Sequence, residues 1–149
     1  PNIVDVFDVG ELPDGRPYLI MEYLEGVDLD SHLRAHGRFA PREALDVLTS
    51  VCEALSAAHR AGFVHRDIKA SNVHMGRSPE GKTMIKLLDF GVAKALHPET
   101  AGAGLTVAGA RIGTSSTMAP EQILGSTISP QTDIYALGVL LFRLLVGRN

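Results

Sequence analysis

The segment His65-Arg66-Asp67-Ile68-Lys69-Ala70-Ser71-Asn72, followed at a short distance by Asp89-Phe90-Gly91, constrains this chain more than any other feature. Between the two motifs, residues 73–75 and 83–88 read as a strand pair around the turn Ser78-Pro79-Glu80-Gly81. A strand pair returns the chain to its starting end, so the polar loop before it and the acidic loop after it are brought together. Asn72 and Asp89 then offer hard oxygen ligands of the kind Mg2+ accepts, with the Asp67 carboxylate and the Lys69 cation beside them.

Upstream, residues 3–9 are rich in β-branched side chains, Pro13-Asp14-Gly15 is a turn signal, and residues 16–23 return as a second strand. These read as an antiparallel hairpin. Gly26 loosens the chain before residues 28–36, a short helix expected to begin near Asp28 and stop at Gly37. Pro41 opens a longer helix, in which Leu45, Leu48, Val51, Cys52 and Leu55 recur at three- and four-residue spacing and are expected to face the core. Residues 91–119 are rich in Gly, Ala and Thr with weak periodicity, the make-up of a long functional loop. Residues 131–146 form a very apolar helix whose missing polar face predicts burial on most sides.

With 45% hydrophobic side chains in 149 residues, the chain can bury one core, and nothing marks a second domain. A net charge of -3 without a dense Lys/Arg stripe argues against a nucleic-acid partner. Cys52 is the only cysteine, so no disulfide framework is possible and a reducing cytoplasm fits. The apolar run at residues 135–146 contains Arg143 and is shorter than the roughly 20 residues of a membrane helix, so this segment is expected to make no membrane contact. The start lacks an initiator Met and a signal-peptide pattern, and the last helix runs to the end of the chain, so a fragment at both ends is expected.

The order of these motifs, continued by Met118-Ala119-Pro120-Glu121-Gln122 and Asp133-Ile134-Tyr135-Ala136-Leu137-Gly138, resembles the protein kinase superfamily. Lys69 and Gly113-Thr114 resemble its serine/threonine branch, and the 118–122 and 133–138 segments look like bacterial members of that branch. The resemblance implies an α+β, protein-kinase-like two-lobe fold truncated at both ends, with residues 1–21 as a small-lobe hairpin, 22–27 as the hinge and 28–149 as part of the mainly helical large lobe. It implies transfer of the ATP γ-phosphate, with Mg2+, to a protein Ser/Thr hydroxyl, an activity expected of the intact parent only. Such chemistry asks a protein chiefly to position the acceptor and neutralise charge. In that scheme Asp67 orients the acceptor and takes its proton, Lys69 faces the transferring phosphate, and Asn72 and Asp89 hold Mg2+. Met21 stands beside the adenine, the Glu22 and Leu24 backbones bond its edge, and Asp28 reaches the ribose. Thr114 shapes the acceptor site, and Thr106 is a candidate phosphothreonine with Arg66 as its cationic partner. His65 packs on Phe90, while Glu121 and Asp133 serve as scaffold, Asp133 holding the catalytic-loop backbone.

Plainer roles compete with some of these. Scattered polar residues of a solvated loop account for Asp67, Lys69, Asn72 or Asp89 singly, but poorly for their joint spacing. Asp28 serves equally as a helix N-cap. His32, His36, His59 and His97 carry no partner motif and are expected at the surface. Two departures from the kinase pattern matter. His74 occupies the usually aliphatic floor under the adenine, where burying unpaired ring nitrogens costs about 1–3 kcal/mol, so His74→Leu is expected to tighten ATP binding. Ser71 and Arg143 replace acids that meet an arginine two residues before the phosphoacceptor, which implies a preference for neutral or acidic residues there. A glycine-rich loop, strand lysine and partner glutamate are absent from these 149 residues, which keeps open a pseudokinase that binds nucleotide or a partner without turnover.

Overall fold

The computed structural model describes residues 2–78, 80–89 and 117–147. Strands β1 (Val6–Glu11) and β2 (Pro17–Met21) form the antiparallel hairpin, with Val9 opposite Leu19. Strand β1 starts later than the β-branched run predicts, because the preceding residues are engaged elsewhere. Ile3 bridges Leu87 in parallel, Val4 N donates to Leu87 O at 3.1 Å, and Leu87 N donates to Asn2 O at 2.8 Å.

A three-stranded sheet follows in the order β3-β4-β5, with β3 at Gly26–Asp28, β4 at Val73–Arg77 and β5 at Thr83–Leu87. Alternation along β4 and β5 divides its faces. Val73, Ile85 and Leu87 join the core, whereas His74 and Lys86, paired in register, lie on the opposite face.

Helices α1 (Leu29–His36) and α2 (Pro41–Arg60) pack on this sheet, α4 (Pro130–Val146) packs against α2, and α3 (Pro120–Ile123) is a single turn ahead of α4. Leu29, Leu55, Ile68, Leu87, Leu140 and Leu144 are buried at the centre. The stripe that α2 turns inward is Ala44, Val47, Leu48, Val51, Ala54, Leu55 and Ala58. Leu45 and Cys52 are exposed, contrary to the reading from large side chains alone. Alanines complete the helical period here, and their small volume lets α2 approach the sheet closely. Helix α4 buries one face only: Ala136, Leu137, Leu140 and Leu144 are covered, whereas Ile134, Tyr135, Phe142 and Val146 are exposed. Among the described residues no helix is long and apolar enough to cross a membrane.

Candidate active site

The first turn of α4 fixes the start of the polar loop. Asp133 is 1% exposed, and its two oxygens accept from the backbone N–H groups of His65 (2.9 Å) and Arg66 (2.8 Å). His59, on α2, lies with Nε2 2.7 Å from Asp133 Oδ2. Since a carboxylate only accepts, the proton of that contact sits on the imidazole. His59 is therefore a half-buried partner of the site scaffold rather than a surface residue. Arg66 adopts φ 69°, a left-handed conformation that its neighbours must hold in place. Gln122 Nε2 donates to Arg66 O at 2.8 Å, and Glu121 accepts from Thr132 Oγ1 at 2.7 Å, tying α3 to both the loop and α4.

His65 joins the two chemical loops. Its Nε2 donates to Leu88 O at 2.7 Å, and its Nδ1 accepts from Asp67 N at 3.3 Å, so both bonds are made by a neutral ring. Burial pushes its pKa below the ordinary histidine value of 6.5, against the raising influence of the Leu88 carbonyl and of Asp133, Asp67 and Asp89. A folded pKa below the unfolded one means that the unfolded chain takes up the proton first. Stability from this group is therefore complete above about pH 6.5 and declines as pH falls below it. Denaturant titrations of the full-length protein from pH 8 to 5 should show that decline, and it should shrink in His65→Leu; an identical pH slope in the variant would contradict the assignment.

Beyond His65 the loop converges on Asp67. Lys69 Nζ donates to Asp67 Oδ2 at 2.7 Å, while Asn72 Nδ2 donates to Asp67 O at 2.9 Å and lies 3.1 Å from Oδ2. Asn72 O in turn accepts from Leu88 N at 2.9 Å, which sets Asp89 beside the loop, in a left-handed conformation at φ 56°. Arg66 and Asp89 are the only non-glycine residues with positive φ among those described, and both flank this centre. No group of three His, Cys, Asp or Glu side chains converges on a cation position among the described residues. The donor set nevertheless suits Mg2+, which is commonly held by one or two protein oxygens together with substrate phosphates. With its Nδ2 turned onto Asp67, Asn72 keeps its Oδ1 as an oxygen donor that a cation could take.

Just after β2, Glu22 accepts from Asp5 N at 2.8 Å and forms an ion pair with Lys86, a largely buried lysine. The Lys86 hydrogen bond, with help from the Asp5 N–H, holds the Glu22 carboxyl below its usual pKa. Asp28 caps α1: its oxygens accept from Ser31 N at 2.8 Å and Ser31 Oγ at 2.7 Å. Burial works to raise the Asp28 pKa, but the Ser31 bonds outweigh it and leave the carboxyl below the ordinary value.

His74 Nε2 is buried without a hydrogen-bond partner. It is enclosed by the chain itself, because glycines stand at 26 and 76. A Cβ on Gly26 would lie 3.0 Å from Nε2 and 2.3 Å from Met75 O, and one on Gly76 would lie 2.2 Å from Glu25 O. The penalty for the orphan nitrogen is thus already borne in the folded chain before a nucleotide arrives, which argues against a tightening of ATP binding in His74→Leu. The variant should instead raise unfolding stability by about 1 kcal/mol, with nucleotide affinity close to wild type. A lower melting temperature for His74→Leu would contradict this.

Comparison with known proteins reads the same centre in family terms. The protein kinase domain family matches residues 1–149. This chain is a protein kinase domain segment. It is 44% identical over 147 residues to the serine/threonine-protein kinase Pkn1 of Myxococcus xanthus, and 40% identical over 151 residues to PrkC of Bacillus subtilis. It is also 38% identical over 150 residues to PknB of Mycolicibacterium smegmatis. Each match covers 99% of this chain, which spans 20 to 23% of the length of these relatives. The crystal structure of the Mycobacterium tuberculosis PknI kinase domain superposes with a TM-score of 0.77 at 31% identity, covering 99% of this chain and 51% of that one.

Within this kinase segment Arg143 has a partner that the sequence does not announce. Its Nη2 pairs with Asp30 in the first turn of α1, and Asp30 is also paired with Arg34. Arg143 is thus committed to a tie between α4 and α1, with its Nε buried and unpartnered. Ser71 is exposed in the Ala70–Asn72 turn. His32 is half-buried, stacked on His36 at 4.4 Å between ring centroids, and burial lowers its pKa. Phe90, His97, Thr106 and Thr114 lie outside the described residues.

Proposed function

We propose that the full-length protein containing this segment is a bacterial-type serine/threonine protein kinase that transfers the γ-phosphate of Mg-ATP to a protein hydroxyl in the cytoplasm. The observation that carries the proposal is the convergence of Lys69 and Asn72 on Asp67, with Asn72 O holding Leu88 N next to Asp89. Asp67 accepts the proton of the Ser/Thr hydroxyl as that oxygen attacks the γ-phosphorus. Lys69, bound to the same carboxylate, faces the phosphoryl oxygens and offsets their charge. Mg2+, held by Asn72 and Asp89, would neutralise phosphate charge when bound.

Met21, the backbones of Glu22 and Leu24, Asp28 and His74 form the proposed nucleotide seat. Asp28 keeps lone pairs for a ribose hydroxyl beside its capping bonds. Thr114 shapes the acceptor site, and phosphorylation of Thr106 would be read by Arg66. Ser71 and Arg143, neither of them an acid, contribute to substrate choice and favour neutral or acidic residues over an arginine. The 149 residues alone, lacking a glycine-rich cover over the phosphates, are proposed to be inactive. Incubation of the purified full-length protein with Mg-ATP and a mixed protein substrate should place phosphate on Ser or Thr. Binding of nucleotide without transfer would contradict the proposal.

A further inference from the structure

Lys86 is a buried cation that the chemistry at Asp67 does not use. It stands in β5 just ahead of Asp89 and is 8% exposed, so its ammonium needs an anion in place of water. Register pairs Lys86 with His74 on β4, and His74 with Asp28 on β3, which sets the three side chains in a row on one face of the sheet. Asp28 and His74 belong to the proposed nucleotide seat. Lys86 ends the row, and its Nζ pairs with Glu22, a further member of that seat.

Residue 22 is held from two directions. Its N–H donates to Asp5 O at 2.9 Å, and its Oε1 accepts both from Asp5 N at 2.8 Å and from Lys86. Asp5 Oδ2 lies farther off, 3.8 Å from Lys86 Nζ, and its side chain is exposed, so Glu22 is the principal counter-charge. Past Lys86 the same strand leads to Leu88, whose N–H and carbonyl are bonded to Asn72 O and His65 Nε2. One short stretch of chain thus carries both the tie to residue 22 and the bonds that seat Asp89.

Resting on the kinase assignment above, we propose that Lys86 is a positioning residue for the nucleotide. By holding Glu22 to β5 it sets the backbone at 22 and 24 at a fixed distance from Asp89, so that the adenine edge and the phosphate end are met together without reordering the chain. Lys86 acts through Glu22 and makes no contact with the nucleotide itself.

Equilibrium binding of adenosine and of Mg-ATP to the full-length protein, with steady-state kinetics in both substrates, tests this. Lys86→Met should weaken both ligands and raise the KM for ATP by about tenfold, within the usual range of coupling between sites, while kcat and the KM for the protein substrate hold near wild type. Lys86→Arg, which keeps the charge, should recover most of the affinity. Glu22→Gln should reproduce the loss and decides the matter where Lys86→Met fails to fold. The double variant should bind no more weakly than either single one. A loss confined to Mg-ATP would make Lys86 a phosphate contact and overturn the positioning role, as would unchanged affinity for both ligands in Lys86→Met and Glu22→Gln. Those results leave the kinase assignment intact, whereas a wild type that binds neither ligand overturns both.

Discussion

Replacing Asp67 by alanine in the full-length protein is expected to lower kcat by a hundredfold or more while leaving the KM for ATP nearly unchanged. The size follows from the role: a positioned general base contributes typically about 10²–10⁴ to rate, and this carboxylate also orders two neighbours. Lys69 and Asn72 Nδ2 both bond Asp67 Oδ2, so truncation removes the proposed base and releases Lys69, the cation proposed to face the phosphate. The hinge-side groups Glu22 and Asp28 have their own partners, Lys86 and Ser31, and are untouched by the change. Steady-state kinetics in both substrates would check this; a large rise in the KM for ATP with kcat preserved would contradict the assigned role.

Asp133→Ala is expected to destabilise the fold by about 3–5 kcal/mol, a large fraction of the total for an ordinary domain. Its carboxylate is 1% exposed and accepts from His65 N, Arg66 N and His59 Nε2. Truncation leaves buried donors without acceptors and removes the clamp on the left-handed Arg66. Asn at this position keeps one acceptor oxygen, so Asp133→Asn should lose roughly half as much. Chemical denaturation of the full-length variants would measure both. Equal stability of wild type and Asp133→Ala would show that the clamp is dispensable.

What the sequence revealed and what it hid follow from the range of the interactions involved. The closeness of the two polar loops was legible because the strand pair between them is local: Lys69 and Asn72 bond Asp67, and Asn72 O holds Leu88 N, the neighbour of Asp89. The short helix was legible from Asp28 and Gly37, its two ends. Strand β3 was not, because three residues including a glycine carry no periodicity, and only pairing with β4 makes them a strand. His59 reads as a surface residue because its partner lies 74 residues away in sequence. Arg143 was similarly opaque, since Asp30 is 113 residues distant and belongs to another helix. In α2, counting only large apolar side chains drew Leu45 and Cys52 into the core, where the alanines belong.

Single-turnover transfer from γ-labelled ATP, followed by phosphoamino-acid analysis, asks whether Asp67 and its neighbours form a phosphoryl-transfer centre. The full-length wild type, preloaded with Mg-ATP and mixed with a protein substrate, should deposit label on Ser or Thr, and Asp67→Ala with the same nucleotide bound should be at least about a hundredfold slower. Equal single-turnover rates in the two proteins, or label appearing on no hydroxyl amino acid, would contradict it.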